Sequence, residues 1–202
     1  MPALGLPELP PEPIDDPPVK AILGELRAEH AFEVPDGYEL RSEHEDHRRY
    51  TTDDGAWAVL LGDGFVTLEA AAPWATTFAE FRARFEALAA TDATVGLRYV
   101  NHIERDGDWH EAVNPELLGF LAEHQATLEL AVNHWVFKED DRILALKHGV
   151  VRAGPEEALG YLLDLDCVTL EPGPPLPLLD DLHKTLVGVF RWCVATGPSS
   201  PR

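Results

Sequence analysis

The stretch AWAVLLGDGFVTLEA, residues 56 to 70, limits the possible folds more than any other part of the chain. Two alternating runs flank Gly62-Asp63-Gly64, a tight-turn signal, so the segment is predicted to be a β-hairpin. An antiparallel pair is thereby set early, and the rest of the chain has to build on it. Directly after it, Phe78, Phe81, Phe85 and Leu88 fall on one helical stripe, and Thr77 followed by Glu80 matches a capping box.

The second half repeats this order. TLELAVNHWVF and RILALKHGVV alternate around the acidic turn Glu139-Asp140-Asp141, and YLLDLDCVTL follows as a further strand. After the break EPGPPLP, one apolar stripe carries Leu179, Leu182, Leu186, Val189, Phe190 and Cys193, which predicts a last helix. Asn114 and Pro115 form a cap and first-turn proline, predicting a short helix over ELLGFLAEH. GYELRSEHEDHRRYTT suggests a long exposed strand, whereas VKAILGEL is ambiguous between strand and helix.

Helices of this kind must bury their stripes on a sheet. The predicted fold class is α+β: two layers, a largely antiparallel sheet or sheets, and an amphipathic helix after each half. The repeated order suggests an internal pseudo-duplication, although the halves share negligible sequence identity. Residues 1–18 are Pro-rich and acidic and read as a tail, 19–196 as a single α+β domain, and 197–202 as a flexible C-terminal tail.

Composition narrows the partners. Against 16 Lys and Arg stand 36 Asp and Glu, a net charge of -20, which repels nucleic acid and anionic membrane surfaces. That charge fits plain solubility first and attraction to a basic protein surface second, and the oligomeric state of the chain is left open. The two cysteines, Cys167 and Cys193, form no CxxC or disulfide framework, so reduced thiols and a cytoplasmic location are expected. They read as small buried hydrophobes. The N-terminus lacks the basic and apolar regions of a signal peptide, and no run approaches a membrane span.

The strand VGLRYVNHIE, residues 95–104, raises the question of chemistry. Alternation puts Val95, Leu97, Tyr99, Asn101 and Ile103 on a core face, and Arg98, His102 and Glu104 on the other. In LLDLD, Asp164 and Asp166 share a face about 7 Å apart and repel unless a cation joins them. That cation is a divalent metal or the guanidinium of Arg98. No third acid at suitable spacing completes a metal shell, which favours Arg98. His183 on the last helix is expected to face the sheet and take an aspartate as its acceptor. The resulting expectation is a structural polar layer between sheet and helix made by Arg98, Asp164, Asp166 and His183, with Asn101 bonding backbone on the other side. No catalytic residue, metal ligand or cofactor is assigned.

Trp109 and His110 form a candidate recognition loop, unless Trp109 folds back as a lid on the core. His134, in phase with Leu130, Val132 and Val136, is expected to be a core histidine. His44 and His47 read as part of a solvated charged segment.

The VGLRYVNHI strand, the LLDLD strand and the LHKTLVGVF helix at 182–190 together resemble a sporadically distributed prokaryotic family of uncharacterised proteins with a GLRYxN-type signature strand, an Asp-x-Asp strand and a C-terminal Leu-His helix. The Trp74, Phe78, Phe81 pattern and the hairpin are similar to that family too, and the resemblance covers roughly residues 48 to 195. It implies a shared fold without an established activity. The family's patchy occurrence implies a bacterial mobile-element or defence-type setting.

With no GxSxG, HExxH or P-loop in the chain, the leading expectation is a non-catalytic acidic adaptor or regulatory protein that binds another protein. The alternatives are a small-molecule-binding protein with a cavity between sheet and C-terminal helix, and a metal-dependent enzyme using Asp164, Asp166 and His183.

Overall fold

A computed structural model of the chain describes residues 19–29, 31–70, 76–88, 92–103, 109–119, 130–152 and 159–194. The expected tails at 1–18 and 197–202, Trp74, Glu104 and the end of the ELLGFLAEH helix lie outside these residues.

Val19–Arg27, ambiguous by sequence, is strand β1 and lies in the middle of the sheet. Its alternation settles the choice: Ile22, Gly24 and Leu26 are buried, while Leu23 and Glu25 are only half-buried. Glu39–Glu43 (β2) and His47–Thr51 (β3) form a hairpin where one long strand was expected. The chain reverses because the His44 N–H donates to the His47 carbonyl at 2.8 Å. That turn also brings the two rings to 4.8 Å, where a straight strand would have set them on opposite faces.

Trp57–Gly62 (β4) and Phe65–Ala70 (β5) make the predicted hairpin, with Gly64 at φ 73°. Thr94–Ile103 (β6), Ala131–Lys138 (β7), Arg142–Arg152 (β8) and Leu159–Thr169 (β9) complete one nine-stranded sheet, in the order β2-β3-β4-β5-β1-β6-β9-β8-β7. Every neighbouring pair runs antiparallel.

Among the described residues three α-helices accompany it: Phe78–Glu86 (α1), the single turn Pro115–Leu118 (α2) and Pro175–Cys193 (α3). The class is therefore α+β, mostly antiparallel sheet, with a long C-terminal helix. At α1 the capping box is complete, since Thr77 accepts from the Glu80 N–H and Glu80 accepts from the Thr77 N–H.

Strand register places Ile22, Gly24 and Leu26 beside Tyr99, Leu97 and Val95, and this is the face that α1 and α3 cover. Gly24 is needed here. A Cβ at this position would stand 2.9 Å from Phe85 and 3.0 Å from Phe81, so the missing side chain lets α1 sit directly on the strand. On α3, the buried residues are Leu179, Leu182, Leu186, Val189, Phe190 and Cys193, the stripe predicted from sequence.

Arg82 and Arg142 tie the helices together and to the sheet. Arg82 of α1 donates through two nitrogens to Asp180 of α3 at 2.8 and 3.2 Å. Arg142 at the start of β8 meets Asp181 at 2.7 Å and donates to Thr185, both on α3, at 3.0 Å. Asn114 clasps the end of α3, donating to the Trp192 carbonyl at 2.9 Å while its own side-chain oxygen accepts from the Glu116 N–H at 3.0 Å.

Candidate binding surface

The face of the sheet opposite the helices carries the charged residues. On β6 the alternation that turns Tyr99 towards α3 turns Arg98 away from it. Arg98 Nε and Nη2 donate to Oδ1 and Oδ2 of Asp164, both at 2.7 Å, in a forked pair. Lys147 of β8 lies 3.9 Å from the same carboxylate. The Asp164 side chain is 7 % exposed and that of Arg98 40 %. The carboxylate beside Arg98 holds the guanidinium above its ordinary value.

Asp166 differs. It is half-buried, and no described residue donates a hydrogen bond to it. Burial raises its carboxyl above the ordinary value; Arg98 and Lys147 oppose the rise, while Asp164 and Glu25 add to it. Around it on the same face are Val100, Ala145 and Val168, all partly exposed. Across β1 the pattern continues. Glu25 accepts from Arg27 at 2.6 Å and from the Thr67 hydroxyl at 3.3 Å, and Arg49 donates to Glu69 at 2.8 Å.

The expected layer of Arg98, Asp164, Asp166 and His183 does not form. His183 lies on the other side of the sheet, where its Nδ1 shares a 2.8 Å hydrogen bond with the Tyr99 hydroxyl and its ring stacks on Phe78 at 3.6 Å. A phenol therefore satisfies the imidazole, with no aspartate involved. Burial lowers the His183 pKa to about 4; Asp180 opposes and Lys184 assists the shift. Because the strand separates His183 from Asp164 and Asp166, the three do not line one cleft, and acid–base catalysis shared among them is excluded by geometry. Asn101 donates to the Leu163 carbonyl at 3.1 Å on the helix-covered face.

Of the two readings of Trp109 the lid is the one seen, and the expectation for His134 changes. Trp109, in the short 3-10 turn Trp109–Ala112, is 4 % exposed and stacks on Tyr161 at 5.3 Å, so it is a lid on the core and offers no anchor to a partner; His110 beside it is half-buried. His134 is exposed, and so are Leu130, Val132 and Val136, because their phase of β7 faces away from the helices. A fully buried histidine is His148 on the neighbouring strand, whose Nδ1 shares a 2.8 Å hydrogen bond with Tyr161. Sequence reading passed over His148 although it alternates in phase with the buried Leu144 and Leu146.

Burial pushes both the Cys167 and the Cys193 thiol up to about 12, which keeps them protonated and unreactive. No group of three or more His, Cys, Asp or Glu among the described residues is arranged to hold a metal ion. No described helix is long and apolar enough to cross a membrane. Compared with protein-family models, with curated proteins and with solved structures, the chain has no significant match.

Proposed function

We propose that this is a non-catalytic binding protein that takes up a basic segment of another protein on the face of its sheet that no described helix covers. One observation carries the reading: Asp166 is a half-buried carboxylate in the middle of that face with no hydrogen-bond donor among the described residues. A partner's arginine or lysine would supply the missing donor, and an ion pair formed among Val100, Ala145 and Val168 would be shielded from water. The other carboxylates nearby are already engaged, Asp164 by Arg98 and Glu25 by Arg27 and Thr67. The charge of -20 would speed the encounter with a basic partner.

The strand order supports reading the sheet as two related halves. β3-β4-β5-β1 followed by α1 has its counterpart in β7-β8-β9-β6 followed by α3, and the halves meet where β1 pairs antiparallel with β6. On this reading the binding surface straddles the seam, with Glu25 from one half and Arg98 and Asp166 from the other.

The test is a calorimetric and NMR titration with an alternating Arg-Val peptide of about eight residues, long enough to cross several strands. Binding should weaken steeply with salt, perturb Asp166, Val100 and Ala145, and be lost in Asp166→Asn. General attraction to an acidic protein would respond equally to Asp53→Asn, an exposed site in a turn. Equal losses in the two variants, or binding indifferent to salt, reject the proposal.

A further inference from the structure

The two edges of the sheet are unlike. β2 has five residues, ELRSE, with charges at Glu39, Arg41 and Glu43 and a register shift between Leu40 and Ser42. Short length, charge and a bulge are the devices by which an edge strand avoids pairing with another chain. β7 has neither the short length nor the bulge, and its one formal charge, Lys138, stands at its end. It has eight residues, AVNHWVFK, pairs with β8 in unbroken register, and has no strand along its outer edge among the described residues. Val136 is 60 %, Val132 47 % and Trp135 38 % exposed along it.

We infer that β7 pairs antiparallel with β7 of a second copy of this chain, joining two nine-stranded sheets into one. Charge selects the occupant. Two copies at -20 repel each other over most of their surfaces, but β7 contains no Asp or Glu, so this edge brings no carboxylate against another. For the same reason it offers nothing to a basic segment, which leaves that partner to the Asp166 face.

Register selects the axis. A two-fold axis perpendicular to the sheet keeps helix-covered and uncovered faces continuous only if it passes through a residue. Placed at His134, it sets each Val132 opposite Val136 of the copy on the uncovered face and each Asn133 opposite Trp135 on the other. Both exposed valines are then covered, twice over.

The experiment is sedimentation of the full chain over a range of concentrations, at low and high salt. A reversible dimer that tightens as salt screens the like charges is the expected result, opposite in sign to the salt dependence of basic-peptide binding, so the two proposals fail separately. Val136→Lys should raise the dimer dissociation constant about tenfold or more, while Leu40→Lys on the opposite edge should leave it unchanged. Should Val136→Lys melt at a lower temperature than the parent, His134→Cys provides the second reading. Its two thiols meet at the axis and should crosslink the copies by oxidation, whereas Arg41→Cys should not. A parent chain that remains monomeric to about 100 µM, a dimer indifferent to Val136→Lys, or crosslinking through Arg41→Cys in place of His134→Cys overturns the assignment.

Discussion

Arg98 stands opposite Asp166 in the register between β6 and β9, yet its guanidinium forks onto Asp164, the next residue along the same face. The diagonal reach lets both guanidinium nitrogens meet both carboxylate oxygens. It also leaves the directly facing carboxylate without a donor among the described residues, so one forked acid and one acid open to a partner or to water stand side by side on β9.

Removing the guanidinium strands Asp164, whose side chain is buried and would keep only Lys147 at 3.9 Å. Arg98→Ala should lower stability to urea by about 1–3 kcal/mol, below the range for a fully buried pair because Arg98 is partly in water. Arg98→Lys should recover only part, since an ammonium cannot fork. An unchanged denaturation midpoint in Arg98→Ala would show the pair to be energetically idle.

Asp166 should act in the opposite direction. Its folded pKa lies above the ordinary carboxylate value, so the protonated form suits the fold, and stability present below the unfolded value is lost as pH rises through the folded one. Asp166→Asn removes that loss. The variant should be more stable than the parent at about pH 7 and indistinguishable from it near about pH 3, measured by thermal melts across the series. A variant weaker at neutral pH would mean that the carboxylate is stabilised in the folded protein after all.

For His183 the neutral ring is the folded form. Its pKa is lowered to about 4, so stability falls as pH drops below the unfolded histidine value of about 6.5 and continues to fall to about 4. The loss should reach about 2–3 kcal/mol and disappear in His183→Gln. NMR titration of the ring gives the direct check, and a midpoint near the unperturbed value would remove the claim.

Gly24→Ala should destabilise the fold by about 1–3 kcal/mol, because the added methyl meets the rings of Phe81 and Phe85, both fully buried and unable to swing aside. Gly188→Ala on α3, where a Cβ meets nothing within 4 Å, should be neutral or slightly stabilising. Chemical denaturation of the two variants side by side decides it.

What could be read from sequence was what repeats locally. The Gly62-Asp63-Gly64 hairpin, the capping box at Thr77 and the stripe from Leu179 to Cys193 depend on neighbours a few residues away, and each appears where its pattern placed it. Faces across distant strands were harder. The sequence reading assigned Tyr99 to the core and Arg98 to the opposite face, which already set Arg98 apart from any helix packed on that core. The link to His183 failed because nothing local says which side of β9 the last helix will cover. His134 was misjudged for a related reason: an edge strand outside the helix layer need not bury its valines. Arg82–Asp180 and Arg142–Asp181 join segments far apart in sequence and left no local signal.

β1 is the earliest of the described strands to leave the ribosome, and it takes the central place in the sheet. Leu26 must await both Val66 and Val95 before its two flanks are complete, so the closing of these long loops governs assembly. A chain cut after Arg27 would retain two sheets of four strands, β2 to β5 and β6 to β9, with no described strand between them and the helix contacts of Arg82 with Asp180 and Phe78 with His183 left to hold them together. This strand is thus the keystone of assembly, and damage to it should be felt in yield and folding rate before any partner is met.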